Sequence, residues 1–359
     1  MPGSLRRSVF GTVFLGVGAL TLVLAIGLRL AVAPEVGKLS YATRACPTSP
    51  GAESSGCLKP SVAEATGATY LAVEPDLVVS RGTLRATVRV VPQSKVSADE
   101  QEAGRLDGNA IVWGVSTTVV RTDTDSVVSQ SLTQLALDRT TGAAVAWDGQ
   151  WIDDTGTVDR SITYSGQTYT FPFGTSRQDY RIYDSRVRAA SPATYVESTE
   201  LDGLPVYRFT QTIPDTAVAL SADRLGLLLD RLAPGATSGT LFYRTTRDVW
   251  VEPVTGAFIK VREHPHQELR PDGGTPVILL DADFTDTDDT VRANVAYTRA
   301  NLLRLDTIGR YAPIGLGVLA VALLVGGFLL VRPRADVPDW FASPRESARP
   351  TLPVASART

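Results

Sequence analysis

The chain has 359 residues and a formal net charge of −3, with 43% hydrophobic and 20% charged residues. Disorder throughout needs low hydrophobicity and high net charge, and nucleic-acid binding needs a basic excess or patch; neither is present. Two cysteines and two histidines are too few for multi-ligand zinc sites, iron–sulfur clusters or a dense disulfide framework, and no cofactor is expected. The mean hydropathy of +0.03 is high for a soluble protein and low for a polytopic one. Two unlike parts are being averaged.

The first part is at the N-terminus. Val9 to Leu28 carries no charge, and at about 1.5 Å per helical residue it spans a hydrocarbon core of about 30 Å. A cleavable signal peptide is the competing reading, since Arg6 and Arg7 precede the run and Ala31-Val32-Ala33 resembles a cleavage site. The run is longer than a usual signal core, which favours an uncleaved anchor. A second uncharged run, Pro313 to Val331, lies between Arg310 and the pair Arg332 and Arg334. The positive-inside rule then puts both tails on the cytoplasmic side. The expected organisation is a cytoplasmic N-terminus (1–8), a first transmembrane helix (9–30), an extracytoplasmic domain (33–310), a second transmembrane helix (311–331) and a disordered cytoplasmic tail (332–359). The lipid bilayer is therefore an expected partner and the plasma membrane the expected location.

Between the spans, Cys46 and Cys57 lie in a segment rich in Pro, Ser and Gly. An even count, a short loop and an oxidising compartment favour a disulfide over two unrelated thiols. Period-two alternation marks strands at Thr83 to Val91, Ala110 to Val120, Val127 to Leu137 and Ser161 to Phe171. Asp202-Gly203 joins one hairpin (Tyr195 to Leu201, Pro205 to Ile213), and Glu252 to Gly256 joins another (Leu241 to Val251, Ala257 to Glu263). The fold class is mainly β: an antiparallel, barrel-like extracytoplasmic domain with a few short helices, flanked by the two transmembrane helices. Leu137 to Val145 and Val251 to Ile259 echo one another as an acid followed by Thr-Gly-Ala, which reads as shared turn chemistry rather than duplication.

Two helices are expected. Ser221 caps the first, whose Leu225, Leu228, Leu229 and Leu232 form one stripe before Pro234-Gly235. That stripe is either a face packed on the sheet or an exposed apolar entrance for lipid. The second helix starts near Asp288 or Asp289 and runs into the second span.

Catalytic signals are poor. His264 and His266 form an H-P-H pair which, with Glu263 or Glu268, is too small for a zinc site. The run Asp281, Asp283, Asp286, Asp288, Asp289 fails the calcium-loop register, with Asp286 where Gly is needed and Arg292 where the closing Glu belongs. No nucleophile elbow, phosphate loop or dinucleotide fingerprint occurs, so the chain reads as a non-enzyme.

The segment Phe171-Pro172-Phe173-Gly174-Thr175, continuing to Asp179-Tyr180 and Asp184, resembles the signature of the actinobacterial "porin PorA" family, formerly a domain of unknown function. The likeness extends through the Ala193 to Phe209 hairpin and the Val249 to Ile259 corner. The family label implies a pore. A classical outer-membrane barrel, however, has an apolar outer band and no spanning helix. The layout is more similar to that of class B scavenger receptors, in which two terminal helices hold a β-rich ectodomain with an apolar tunnel. That similarity implies a membrane-anchored, non-enzymatic protein that binds or transfers lipid or another apolar envelope ligand. The alternatives are a structural, sensor or adhesion protein of the envelope and, third, a porin-like channel. For the signature itself, a bend set by Pro172 and Gly174 with Phe171 and Phe173 packed on the strand is the structural expectation. Asp179, Tyr180 and Asp184 are the binding-surface candidates.

Overall fold

The computed structural model describes residues 2–41, 43, 45–46, 57–72, 77–154 and 156–332. The expected disordered tail beyond Arg332 and most of the loop between the cysteines lie outside the described residues. The described helices are α1 (Pro2–Gly27), α2 (Ala33–Val36), α3 (Ser94–Glu102), α4 (Ala222–Leu232), α5 (Asp288–Asp306) and α6 (Ala312–Val331). Single π-helical turns, Leu28–Val32 and Thr307–Tyr311, join α1 to α2 and α5 to α6. Two units separate, Met1–Ile26 with Ile314–Thr359, and Gly27–Pro313.

The first unit pairs α1 with α6, and both terminal helical stretches are long and apolar enough to cross a membrane. Glycine lets their backbones approach closely. A Cβ at Gly11 would lie 3.0 Å from the Gly327 carbonyl oxygen, and one at Gly327 would lie 2.8 Å from that of Gly11. Small residues at such crossings are the usual basis of helix association in lipid, where apolar burial gives no net drive. Away from the contact, Val13, Leu20, Val318 and Phe328 point outward.

The second unit is built on one antiparallel sheet. Its strands are β1 (Ser61–Ala72), β2 (Val78–Pro92), β3 (Ala110–Arg121), β4 (Val127–Asp138), β5 (Ala144–Val145), β6 (Trp151–Asp153), β7 (Tyr180–Asp184), β8 (Ala189–Leu201), β9 (Leu204–Val218), β10 (Gly239–Val251), β11 (Phe258–Pro271), β12 (Val277–Asp281) and β13 (Phe284–Asp286). The 13-stranded sheet runs β5-β4-β3-β2-β1-β12-β11-β10-β9-β8-β7, with β13 bridging β1 and β11 and β6 on β4. The long strands are rich in β-branched and aromatic residues, which suit a pleated, half-buried surface. Both hairpin turns fall where expected. Asp202 and Gly203 have φ of 48° and 70°, the left-handed pair that matches the twist of the flanking strands.

One expected strand is not one. Ser161 to Phe171 keeps alternate burial, with Ile162 and Tyr164 inside, but forms only isolated bridges. Gly166, at φ 66°, turns the segment out of a ladder. Its irregularity closes the sheet: the Ala144 amide donates to the Gly166 carbonyl (2.8 Å), the Gln167 amide to that of Arg181 (2.7 Å), and the Tyr183 amide to that of Gln167 (2.8 Å). The two edge strands, β5 and β7, are thereby joined, and the sheet becomes a barrel.

The echoed turns hold the same segment. Asp138 accepts the amides of Thr140 and Thr141 and the Thr141 hydroxyl, and Glu252 accepts those of Val254 and Thr255 and the Thr255 hydroxyl. The Phe173 amide reaches the Thr140 carbonyl at 3.4 Å and the Gly174 amide reaches that of Val254 at 3.0 Å. Between the turns, Phe171 is buried against Tyr180, Phe209 and Phe258 with ring centroids 4.6, 4.9 and 5.4 Å away.

The helices of this unit pack against the sheet. Thr287 caps α5 by accepting the Thr290 amide, and Val291 and Val295 pack on Leu204, Val206 and Ile259. Among the elements without a clear sequence signal are α3, whose Val96 packs near Trp147, and β1, whose alternation is broken by a bulge between Ala65 and Ala68.

The interlock predicts unequal costs for two glycines of nearly equal φ. At Gly256 (φ +71°) a Cβ would lie 2.1 Å from the Phe171 carbonyl oxygen, whereas at Gly174 (φ +72°) it would meet nothing within 4 Å. Gly174→Ala should cost about 1 to 2 kcal/mol, the left-handed penalty alone, and Gly256→Ala about 4 kcal/mol or more through the added clash. Denaturant unfolding of the two full-length variants measures both, and equal losses would contradict the interlock.

Candidate functional site

The barrel holds a cavity of about 640 Å³ that is partly open to solvent. At one end its wall is α5, through Asn294, Tyr297 and Asn301, together with the segment from Val36 to Ser40. Further in, Val88, Val90, Val119, Phe258, Leu280 and Phe284 supply apolar wall, and Thr117, Ser129, Ser131 and Thr133 supply hydroxyls. The lining is therefore amphipathic, which differs from the wholly apolar tunnel implied by similarity to scavenger receptors.

The cavity wall carries an ionic cluster that alternation on β10 explains. Leu241, Tyr243, Thr245, Val249 and Val251 are buried, and Arg247 falls in the same inward row. Its guanidinium lies 3.2 Å from Asp184 and 2.7 Å from Glu263, and it donates to the Gln211 side-chain oxygen at 2.9 Å. The Tyr243 hydroxyl donates to Asp184 at 3.1 Å, and Gln211 donates onward to the Ile182 carbonyl at 2.6 Å. Burial works against the Arg247 charge, but Glu263 and Asp184 outweigh it and raise its pKa above the usual value. Two carboxylates to one guanidinium leave the cluster with a net negative charge. Because Asp184 is 2% exposed, removing its cation would be costly.

A belt of aromatic hydroxyls faces the same space: Tyr164, Tyr169, Tyr183 and Tyr243 all line the cavity. Burial pushes Tyr169 and Tyr183 up to about 12 and raises Tyr164 and Tyr243 further. All four stay neutral donors at physiological pH.

The structure divides the sequence-based candidates. Asp184 of the signature is central to the cluster. Phe171 is core, and Phe173 lines the cavity. Pro172 closes the bend by accepting from the Thr175 hydroxyl at 2.7 Å, and Gly174 takes positive φ. Tyr180 packs on Phe171 and Phe209 and accepts the Ser176 amide at 3.0 Å, while Asp179 is exposed and away from the cavity wall. Cys46 and Cys57 are joined as a disulfide.

Leu225, Leu228, Leu229 and Leu232 lie against Leu241, Leu269 and Leu279, and none lines the cavity. The stripe is a packed face rather than an entrance. Ser221 caps its helix by accepting the Arg224 amide at 3.4 Å. His264 and His266 both face Asp281, at 2.9 and 3.5 Å, rather than Glu263 or Glu268. Among the described residues no group of three or more ligating side chains is arranged for a metal. The acidic run disperses, with Asp283 on Arg262 and Asp286 on the Val261 amide at 2.8 Å. Sequence reasoning missed Arg247, Glu263, Gln211 and Tyr243. The available signal was a charged residue at an inward position of an otherwise apolar strand row.

Asp286 lines the cavity and gives a test of its dielectric. Burial pushes its pKa up from 3.8 to about 6, against the Val261 amide and Lys260. The fold prefers the neutral acid, so its contribution to stability falls as pH rises from 3.8 to about 6 and stays at its minimum above that. Asp286→Asn should match the wild type near pH 4 and exceed it by about 2 to 3 kcal/mol near pH 7. Unfolding of both proteins across that range checks it, and a difference independent of pH would refute it.

The family model described as Porin PorA matches residues 10–329. A curated relative named Porin PorA, from Corynebacterium resistens, is 30% identical over 124 residues, covering 30% of this chain and 29% of the relative. The chain thus spans less than a third of that relative's length in the match. With the model covering nearly all of the helix–barrel–helix layout, the chain belongs to the Porin PorA family.

Proposed function

We propose that this protein is a membrane-anchored extracytoplasmic binding protein that shelters an amphiphilic envelope lipid inside its barrel and passes it on without chemical change. The observation that carries this reading is the cavity of about 640 Å³ inside the barrel, within the roughly 300 to 1,000 Å³ of ligand sites generally. It lies in a barrel whose chain leads at both ends into helices suited to a bilayer. Exposing an acyl chain costs about 0.8 kcal/mol per methylene, so a chain of about fifteen methylenes needs a shielded path worth on the order of 10 kcal/mol. The aliphatic and aromatic side chains of the wall offer that shielding, and the hydroxyls and the ion cluster interleaved with them offer partners for a polar group. Arg6 and Arg7 before the first span and Arg332 and Arg334 after the second support cytoplasmic termini at the plasma membrane, with the barrel outside.

The family name favours a second reading, a porin-like channel. In that case the same interior would carry water and solutes, and the polar residues of the wall would set its selectivity.

Two measurements on the full-length protein separate these readings. In phosphatidylcholine vesicles, the wild type should bind pyrene-labelled diacylglycerol saturably, and Ala86→Trp, which puts a large ring on the cavity wall, should cut binding at least about tenfold. In planar bilayers no unitary conductance is expected. Conductance without lipid binding would replace the carrier with the channel.

A further inference from the structure

Closure of the sheet reaches only part of β4. That strand pairs with β6 from Leu132 to Gln134 and with β5 at Ala136 and Leu137. Among the described residues, Ser129, Gln130 and Ser131 have strand partners on one side alone, Val119, Thr118 and Thr117 of β3. Val127 to Ser131 therefore presents a free edge, about 16 Å long at roughly 3.3 Å per residue. The cavity rounds this edge. Strand side chains alternate between the two faces of a sheet, and internal strands line the cavity accordingly, β2 with Ala86, Val88 and Val90 and β11 with Val261, Glu263 and Pro265. On β4, by contrast, Ser129, Gln130 and Ser131 all line it, which successive residues can do where the space passes from the inner face to the outer one. Exposure agrees. Ser129 shares the inward row of Thr133, Leu135 and Leu137, yet those three are buried and Ser129 is exposed.

This opening is in the side of the barrel. The carbonyl of Arg139, just past the other end of β4, accepts the Leu39 amide at 2.7 Å at the α5 end of the cavity, and Ser131 lies about 27 Å along the strand from it. The rest of the rim comes from Asp154, which follows the β6 residue paired with Leu132, and from Ser185 and Arg186 in the turn between β7 and β8; all three line the cavity. Two ion pairs hold the turn to the stretch after β6, Arg186 with Asp154 at 3.9 Å and Arg188 with Asp159 at 2.7 Å. Their side chains keep between 23% and 48% of their surface, and pairs so exposed are weak and screened by salt. Strands such as β10 are instead held to both neighbours by backbone ladders along most of their length.

Resting on the lipid-carrier reading, we infer that the gap at the free edge of β4 is the side portal through which the lipid enters and leaves the barrel, and that Arg186 with Asp154 is its latch. Parting this pair widens the opening and breaks no strand ladder, because Arg186 lies in the turn beyond the last β7–β8 pair, Asp184 with Ala189.

Stopped-flow fluorescence tests this on the full-length protein reconstituted in phosphatidylcholine vesicles, with pyrene-labelled diacylglycerol delivered from donor vesicles. Arg186→Glu, which sets like charges against each other, should speed uptake and release alike by about fivefold, the scale an exposed pair can hold back. Loss of a lipid contact would speed release alone. Exchanging the charges, with Asp154→Arg and Arg186→Asp together, should restore the wild-type rates. Joining Asp154→Cys and Arg186→Cys with a short bismaleimide should slow both directions by at least about tenfold, as closing a gate does, relative to each single cysteine variant capped with N-ethylmaleimide. Unchanged rates in the cross-linked protein would move exchange to the α5 end and overturn the portal while leaving the carrier intact, as would faster release without faster uptake in Arg186→Glu. Absence of saturable uptake by the wild type would overturn the carrier reading and the portal with it.

Discussion

Closure of the sheet at Gly166 and Gln167 is the constraint on which the enclosed space depends. An open antiparallel sheet leaves two rows of unpaired amides and carbonyls, and burying such edges without partners costs as much as losing the bonds. Here β5 is only two residues long and β7 only five, and the segment between them pairs with both. The positive φ of Gly166 supplies the necessary turn, and a Cβ there would lie 2.5 Å from the Arg181 carbonyl oxygen. Downstream, the turns at Asp138 and Glu252 grip residues 170 to 174 from two sides, so the connector is anchored where it would otherwise detach.

Once the wall is closed, the polar groups that strand alternation points inward must be satisfied inside. Arg247 answers this with three partners, Asp184, Glu263 and Gln211, which reach it from β7, β11 and β9. Such a cluster contributes little net stability. Its effect is to fix the registers of four strands relative to one another, since a one-residue slip of any of them would move its partner to the other face.

Much of this was legible in the sequence where a local period or turn carried it: the two uncharged runs, the long strands from Thr83 to Leu137, the Asp202-Gly203 hairpin and the Ser221 cap. The failures share a cause in long-range structure. Ser161 to Phe171 has the alternation of a strand, yet pairing depends on partners distant in sequence, and those partners offer only isolated bridges. The leucine stripe of α4 favoured a packed face over an exposed cap by its amphipathic pattern alone, and Leu241, Leu269 and Leu279 lie beneath it. Asp184 was visible only as a family letter. Its role needed Arg247, 63 positions away, which no local pattern links to it.

The outer face of the barrel decides how membrane contact is divided. A strand wall that crosses lipid carries an outward apolar band, but here Arg81, Glu197, Glu200 and Arg244 are exposed on the strands. Placing such arginines in hydrocarbon costs about 2 to 4 kcal/mol each near the midplane, and the glutamates less, whereas the two terminal helical stretches are long and apolar enough to cross a membrane. A chain can belong to a family named for pores and carry such charges along its strands. What remains pore-like is the interior, and there the wall is neither a uniformly wetted channel nor a uniformly apolar sleeve. Hydroxyls and aliphatic side chains are interleaved there, Val88 opposite Thr117 and Val119 opposite Ser129, and Phe284 lies opposite Glu263 of the ion cluster.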